Sequence, residues 1–271
     1  MSQVVVNRHP RGTLSRQAEL TLGAVGLAGL ILLWQVASVA SLLSERVVPA
    51  PTDVAGALGR LSVTADFWGA VWATVSITVI AMVVILLIAV PTAMAIHASR
   101  FVEHSTWFLI EFLKPIPGVA LIPLALLLWG PTDGVKLFLI VFGSLWPMLT
   151  QLVYGLREIP GLALEMARVY RFGFWQRIHR ITIPSVLPFT LTGLRISVTI
   201  ALIIAIVTEY IVGMSGLGSL LALAQLNGVV DQAFALLLVS GLLGLGFSGS
   251  VAALSGPLLF WHPSQRERRN G

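Results

Sequence analysis

Residues 69–96 run without a single Asp, Glu, Lys or Arg. About twenty apolar residues suffice for a helix to cross the hydrocarbon core of a bilayer, and few soluble folds could bury so long a run. Five more apolar segments accompany it, at roughly 20–43, 115–132, 137–156, 189–213 and 232–261. The first and last of these are also uncharged along their main runs. The segments at 115–132 and 137–156 are short and broken by Pro115, Pro117, Pro123 and Pro147, and the one at 189–213 carries Arg195 and Glu209. With 56% hydrophobic and only 11% charged residues, the chain lies far from the ~25% charged content of a soluble domain. The expected class is an all-α, polytopic membrane protein of about six transmembrane helices. A single membrane domain, 20–261, stands between polar tails at 1–19 and 262–271.

The first segment has a second reading. Arg8, Arg11 and Arg16 precede it, and Ser38-Val39-Ala40 could serve as a signal-peptidase site. Signal-peptide cores are ~7–15 residues long, so a retained helix is the better expectation. The net charge of +5 does not point to nucleic acid, because the arginines lie between apolar runs rather than on one basic face. The absence of cysteine excludes disulfides, thiolate metal sites and cysteine nucleophiles.

The arginines orient the chain. With the N-terminus in the cytoplasm, the inner segments hold twelve: Arg8, Arg11, Arg16, Arg100, Arg157, Arg168, Arg171, Arg177, Arg180, Arg266, Arg268 and Arg269. The outer loops then hold three basic residues, Arg46, Arg60 and Lys136. Cytoplasmic loops are enriched in Lys and Arg, so both termini and the long 156–188 loop are expected inside. In that loop Pro160 suits the first position of a helix. Leu162, Met166, Val169 and Tyr170 share one helical face, and Glu165 and Arg168 are close enough to pair. Phe174, Ile178 and Ile181 suggest a second short helix, stopped by Pro184 and Pro188. Such a loop could be a mere topology signal, an interfacial pair lying on anionic lipid, or a docking element.

Glu165-Met166-Ala167, a turn, Ile183-Pro184 and then Pro188 resemble the EAA loop of permease subunits of bacterial ABC importers, in the nitrate/sulfonate/taurine branch. Val48-Pro49-Ala50-Pro51, Pro115-Ile116-Pro117, Ala120 to Leu124 and Trp129-Gly130 fit the same pattern. So do Gly155-Leu156-Arg157, Gly193-Leu194-Arg195, and Glu209 followed by Gly216-Leu217-Gly218. The resemblance, over residues 48–230, implies a type I importer permease in the bacterial inner membrane that pairs with a second permease copy as a homodimer. It implies two separate ATPase subunits that bind ATP and magnesium, and an extracytoplasmic binding protein that delivers substrate. It also implies that this chain holds no cofactor itself. Glu165, Met166, Ala167, Arg168, Tyr170, Arg171, Gly173, Phe174, Ile183 and Pro184 would form the ATPase-coupling surface. Glu209, Met214, Pro123 and Trp146 become candidates for the pathway or its gate. Arg171 stands where relatives usually have Gly, so the turn is expected to shift towards Gly173, or Arg171 to touch the ATPase. The glycines of the last span, Gly241 to Gly256, replace charged residues common in relatives.

Other residues suggest less. Glu209 admits either a gating role or a structural hydrogen bond near Gly213 or Ser215. Arg195, Lys114 and Glu111 read as anchors near the inner boundary. The histidines lack an H-x-x-x-H spacing for a metal, and His97 and His104 read as flanking a short solvated loop. The tryptophans, Trp146 among them, mostly fit an interfacial belt. A P-loop requires Gly before its Lys, whereas Lys114 and Lys136 follow Leu113 and Val135. A self-sufficient secondary transporter, or a membrane-anchored scaffold or enzyme, are the alternatives. The former would need several paired intramembrane charges, and only Glu209 and Arg195 stand out.

Overall fold

A computed structural model describes residues 16–40, 44 and 47–259. Residues 1–15 and 260–271, with Arg8, His9, Arg11, Trp261, His262, Arg266, Arg268 and Arg269, lie outside the described residues, as does Arg46. Every element among the described residues is helical: α1 (Arg16–Val39), α2 (Pro51–Ser62), α3 (Ala65–Ala98), α4 (Arg100–Leu113), α5 (Ile122–Trp129) and α6 (Asp133–Arg157). α7 (Gly161–Val169), α8 (Phe174–Arg177), α9 (Ile183–Val212), α10 (Leu217–Leu226) and α11 (Val230–Leu258) complete the order. Five helical stretches are long and apolar enough to cross a membrane, and the bent pair α4 and α5 makes a sixth.

The centre is built from α3, α6 and α9, with α6 against α9 the most extensive pairing. Ile85, Leu139, Ile140, Met148, Ala201 and Ala205 fill it. α1 lies outside, its apolar side chains exposed from Leu22 to Val39. It touches the rest through Trp34 against Phe234 and Gln35 against Thr52. That exposure suits a helix solvated by lipid.

The third span departs from the expected 115–132. It begins at Arg100, because Val102, Thr106 and Ile110 recur at i, i+4 and i+8 and turn inward, and the Ser99 hydroxyl accepts from Val102 N–H at the helix start. Residues 97–104 are therefore not a solvated loop. Pro115 and Pro117 have no N–H to donate, and their rings crowd the preceding turn of a helix. The chain accordingly bends by 78° between α4 and the continuation Gly118–Trp129. That continuation starts with a 3₁₀ turn, Gly118–Leu121. The backbones approach closely there: a Cβ on Gly118 would lie a tight 3.2 Å from Gly143 Cα, and one on Gly143 would displace Ile204 Cδ1, 2.3 Å away.

The short helices α2 and α10 sit at the end of the bundle opposite the 158–182 loop. There the exposed Arg60 pairs with Asp231 at 2.6 Å. Pro51 stands in the first turn of α2, where its missing N–H costs nothing.

Candidate functional site

α7 starts from Pro160 at its cap, one position before the expected first residue, and ends at Val169. Its one buried residue is Ala167. Leu162, Met166, Val169 and Tyr170 do share a face, and all four are exposed, by 54–78%. Glu165 and Arg168 are exposed too, but among the described residues no ion pair joins them. An apolar stripe that covers nothing in its own chain, rimmed by charges, marks an interaction surface.

The helix closes in a Schellman motif: Phe172 N–H donates to Ala167 O at 2.8 Å and Arg171 N–H to Arg168 O at 3.0 Å. Arg171 takes the left-handed position with φ 52°, the one positive φ of a non-glycine among the described residues. Gly173 has φ −67°, so the turn has not moved towards it. Burial of Ala167 fixes the register of the last helical turn, and the left-handed slot then falls at residue 171 whatever side chain stands there. Strain of ~1–2 kcal/mol accompanies a Cβ in that conformation. Phe172 lies under the Arg180 guanidinium at 5.6 Å, and the Gln176 side chain accepts from Gly173 N–H to begin α8.

Pro184 and Pro188 do not stop the second helix. α8 runs through a π-turn, Ile178–Thr182, into α9, giving one continuous stretch, Phe174–Val212, of 39 residues. Ile183 N–H donates to the Ile178 carbonyl, five residues back. This widened turn makes room for the Pro184 ring, which would strike the carbonyl four residues earlier in a regular helix. The second arm of the loop is thus the base of the fifth span. Phe174 and Ile183 are exposed on it, and Arg157, at the loop's root, pairs with Glu103 of α4.

At the other end of α9, Glu209 is fully buried and accepts from three other helices. Lys136 Nζ of α6 reaches its Oε1 at 2.8 Å. Its Oε2 accepts from the Thr74 hydroxyl of α3 at 2.8 Å and from Gly218 N–H of α10 at 3.1 Å. Lys136 also donates to the Ser215 carbonyl, and Leu217 N–H donates to Thr74 Oγ1. The Gly216-Leu217-Gly218 motif has its explanation here. A Cβ on Gly216, which has φ 151°, would lie 2.0 Å from Glu209 Cδ, and one on Gly218 would lie 2.0 Å from the Ile206 carbonyl.

Lys136 is therefore not an outer-loop residue. It is 2% exposed inside α6. Sequence reasoning missed the pair, although a lone Lys in one apolar span and a lone Glu in another is the signal that charges in a membrane seek each other. The remaining gate candidates do not converge. Met214 is half-buried in the turn after α9, Pro123 is exposed in α5, and Trp146 is buried in mid-α6. Trp146 is packed inside the protein, outside any interfacial belt, and its indole N–H has no partner. Arg195 is exposed and donates to Ser248.

Residues 85–256, more than half of the chain, match the model of the family described as binding-protein-dependent transport system inner membrane component. The chain belongs to this family. The permease is 28% identical over 236 residues to the putative aliphatic sulfonates transport permease protein SsuC of Escherichia coli K12, covering 87% of this chain and 90% of that one. It is 26% identical to the taurine transport system permease protein TauC of the same organism, covering 93% of each. Similarity extends to the bicarbonate transport system permease protein CmpB of Synechocystis, at 24% identity and 88% and 89% coverage. Among solved structures, an inward-facing form of the MetNI methionine ABC transporter aligns with TM-score 0.59 and 16% identity, over 70% of the permease and 94% of that chain. The fold is that of a type I importer permease. The permease is a non-catalytic, multi-pass transport subunit.

Proposed function

We propose that the permease forms a substrate pathway with a second copy of itself and couples it to ATP hydrolysis through residues 158–182. Two separate ATPase subunits, which bind ATP and magnesium, would each receive one loop in a surface groove. A binding protein would deliver substrate to the opposite face. Both termini would lie in the cytoplasm, as the arginines of the loop favour. The cargo would be a small anion such as a sulfonate, taurine or nitrate, or a small aromatic or pyrimidine compound; relatives named for sulfonates, taurine and bicarbonate support the anion.

One observation carries this reading: an exposed apolar stripe on α7 is held by a tight turn to a helix that runs unbroken into the membrane. Force applied at the stripe has a stiff route to the pathway. The secondary-transporter alternative would gain from a charge pair exposed to a pathway. Lys136 and Glu209 do not supply one, since both are buried and bonded within the protein.

Glu165→Lys tests the docking role. Glu165 is exposed and within the described residues has no ion-pair partner, so its reversal leaves the fold intact. The variant is expected to insert and purify normally but to retain at most about a tenth of the ATPase, the loss that ~1.4 kcal/mol at the contact produces. Unchanged ATPase content together with unchanged substrate-stimulated turnover would refute the proposal.

A further inference from the structure

Between the bend of the third span and the α6–α9 pair lies a cleft of about 260 Å³, lined among others by Lys114, Trp146, Thr150, Gln151, Ile196 and Ile200. Gln151 stands six residues before the end of α6 at Arg157, or ~9 Å along the axis. The cleft is thus set into the spanning part of the bundle. An ammonium lining such a cleft is a functional-site candidate.

The polar groups around it are short of partners. Lys114 closes α4 just before the bend, and its ammonium is 3.8 Å from Glu111 Oε1 with both side chains about half exposed. That is beyond hydrogen-bond reach, and exposed pairs of this kind hold weakly. Among the described residues no hydrogen bond engages the Gln151 amide. The Trp146 indole N–H is buried without a partner, although Trp146 is only 8% exposed. The Thr150 hydroxyl donates to the Trp146 carbonyl and keeps its lone pairs. Donors left unmade in an apolar medium are costly and call for an acceptor. Ile196 and Ile200 add apolar surface to the same lining.

We infer that this cleft is an anion subsite of the permease itself, taking a short-chain organic anion whose sulfonate or carboxylate head meets Lys114 and Gln151 while its tail rests on Ile196 and Ile200. The inference rests on the transport reading above and deepens it, placing some of the substrate choice in this chain. A volume below the ~300–1,000 Å³ of drug-sized pockets limits the cargo to a few carbons. A sulfonate, with three acceptor oxygens and one delocalised charge, suits an ammonium beside a carboxamide.

The test is equilibrium binding of ethanesulfonate to the full-length chain in lipid nanodiscs, without binding protein or ATPase. Saturable binding is expected in the wild type. Lys114→Gln should weaken it about tenfold to a hundredfold, the range for a lost charge-assisted hydrogen bond. Lys114→Arg should restore it to within a few-fold, and the uncharged ethyl methyl sulfone should not compete. Absence of saturable binding, or equal binding by Lys114→Gln, would overturn the inference, as would nitrate or bicarbonate binding more tightly than ethanesulfonate, which would leave the apolar wall without a role. Glu165→Lys separates the two readings: it should bind ethanesulfonate like the wild type, so loss of ATPase there bears on docking alone.

Discussion

Lys136→Met removes one partner of the buried charge pair and keeps the length and apolar stem of the side chain. At 2.8 Å, with an effective dielectric of ~20, the lost attraction amounts to about 6 kcal/mol. Part of this is offset, because the ammonium no longer has to be stripped of water. Breaking a buried pair on one side typically costs a net ~3–5 kcal/mol. Glu209 fits that case, being 0% exposed and left with Thr74 and Gly218 N–H as donors. Thermal unfolding followed by tryptophan fluorescence in one detergent is expected to show a fall of roughly 6–20 °C, from ~2–4 °C per kcal/mol at this size. The geometry also ranks the double variants. Lys136→Met with Glu209→Gln should recover most of the loss, since the amide oxygen still accepts from Gly218 and Thr74. Lys136→Met with Glu209→Leu should recover less, because the buried Gly218 N–H and the Thr74 hydroxyl lose their acceptor at ~1–3 kcal/mol. A fall below about 2 °C for the single variant, less than one kcal/mol on that scale, would refute the reasoning. So would a Leu double variant more stable than the Gln one.

Two further variants probe the glycine logic. Arg171→Gly should raise stability by ~1 kcal/mol, since it relieves the left-handed φ of 52°, while Arg171→Ala should gain nothing; equal unfolding temperatures for the two would remove the strain account. Gly218→Ala should abolish a monodisperse peak in size-exclusion chromatography, with its Cβ 2.0 Å from the Ile206 carbonyl, whereas Gly241→Ala, with nothing within 4 Å, should leave the profile unchanged. A well-behaved Gly218→Ala protein would mean that the turn after α9 can open without cost.

Hydropathy located the spans because a helix in lipid must be apolar over a fixed length, and five of the six came within a few residues of their helices. The third failed in its first half. α4 is amphipathic, with Glu103, His104 and Glu111 among its apolar residues, so a mean over the window hides the inward stripe of Val102, Thr106 and Ile110. The proline stops at 184 and 188 failed for another reason. Proline forbids one hydrogen bond, and a π-turn upstream can absorb the loss, a remedy that periodicity does not display. α2 and α10 were invisible as helices because each, at 12 and 10 residues, is too short to leave a spanning-length apolar run. The loop surface was legible through Leu162, Met166, Val169 and Tyr170, since an exposed apolar face keeps the same period as a buried one. The Glu209 network was half legible. Its glycines and its carboxylate could be read, but counting Lys136 as loop charge hid the partner, and only tertiary packing brings Thr74 of α3 to the same point.

The two ends of α9 differ in how firmly they are held, and this sets how a displaced loop would act on the pathway. Phe174–Val212 at 39 residues spans nearly 60 Å at ~1.5 Å per residue, twice the ~30 Å of a hydrocarbon core. Its far end is fixed by Lys136, Thr74 and Gly218 on the one side chain of Glu209. Its near end meets the rest of the chain through a π-turn and Pro188, the places where a helix yields most readily. A partner that pushes on α7 would therefore swing α9 about the Glu209 end rather than slide it along its axis. The largest relative movement then falls in the inner half, where Gly193 packs against Met148 and Gln151 and Ile196 and Ile200 wall the cleft beside Lys114. Swinging that wall away from α6 widens the cleft and separates the apolar surface from the ammonium. On the proposed coupling, a buried charge pair far from the loop would act as a hinge pin: its strength would decide whether force applied at the loop is converted into opening or dissipated in loosening the far end of α9.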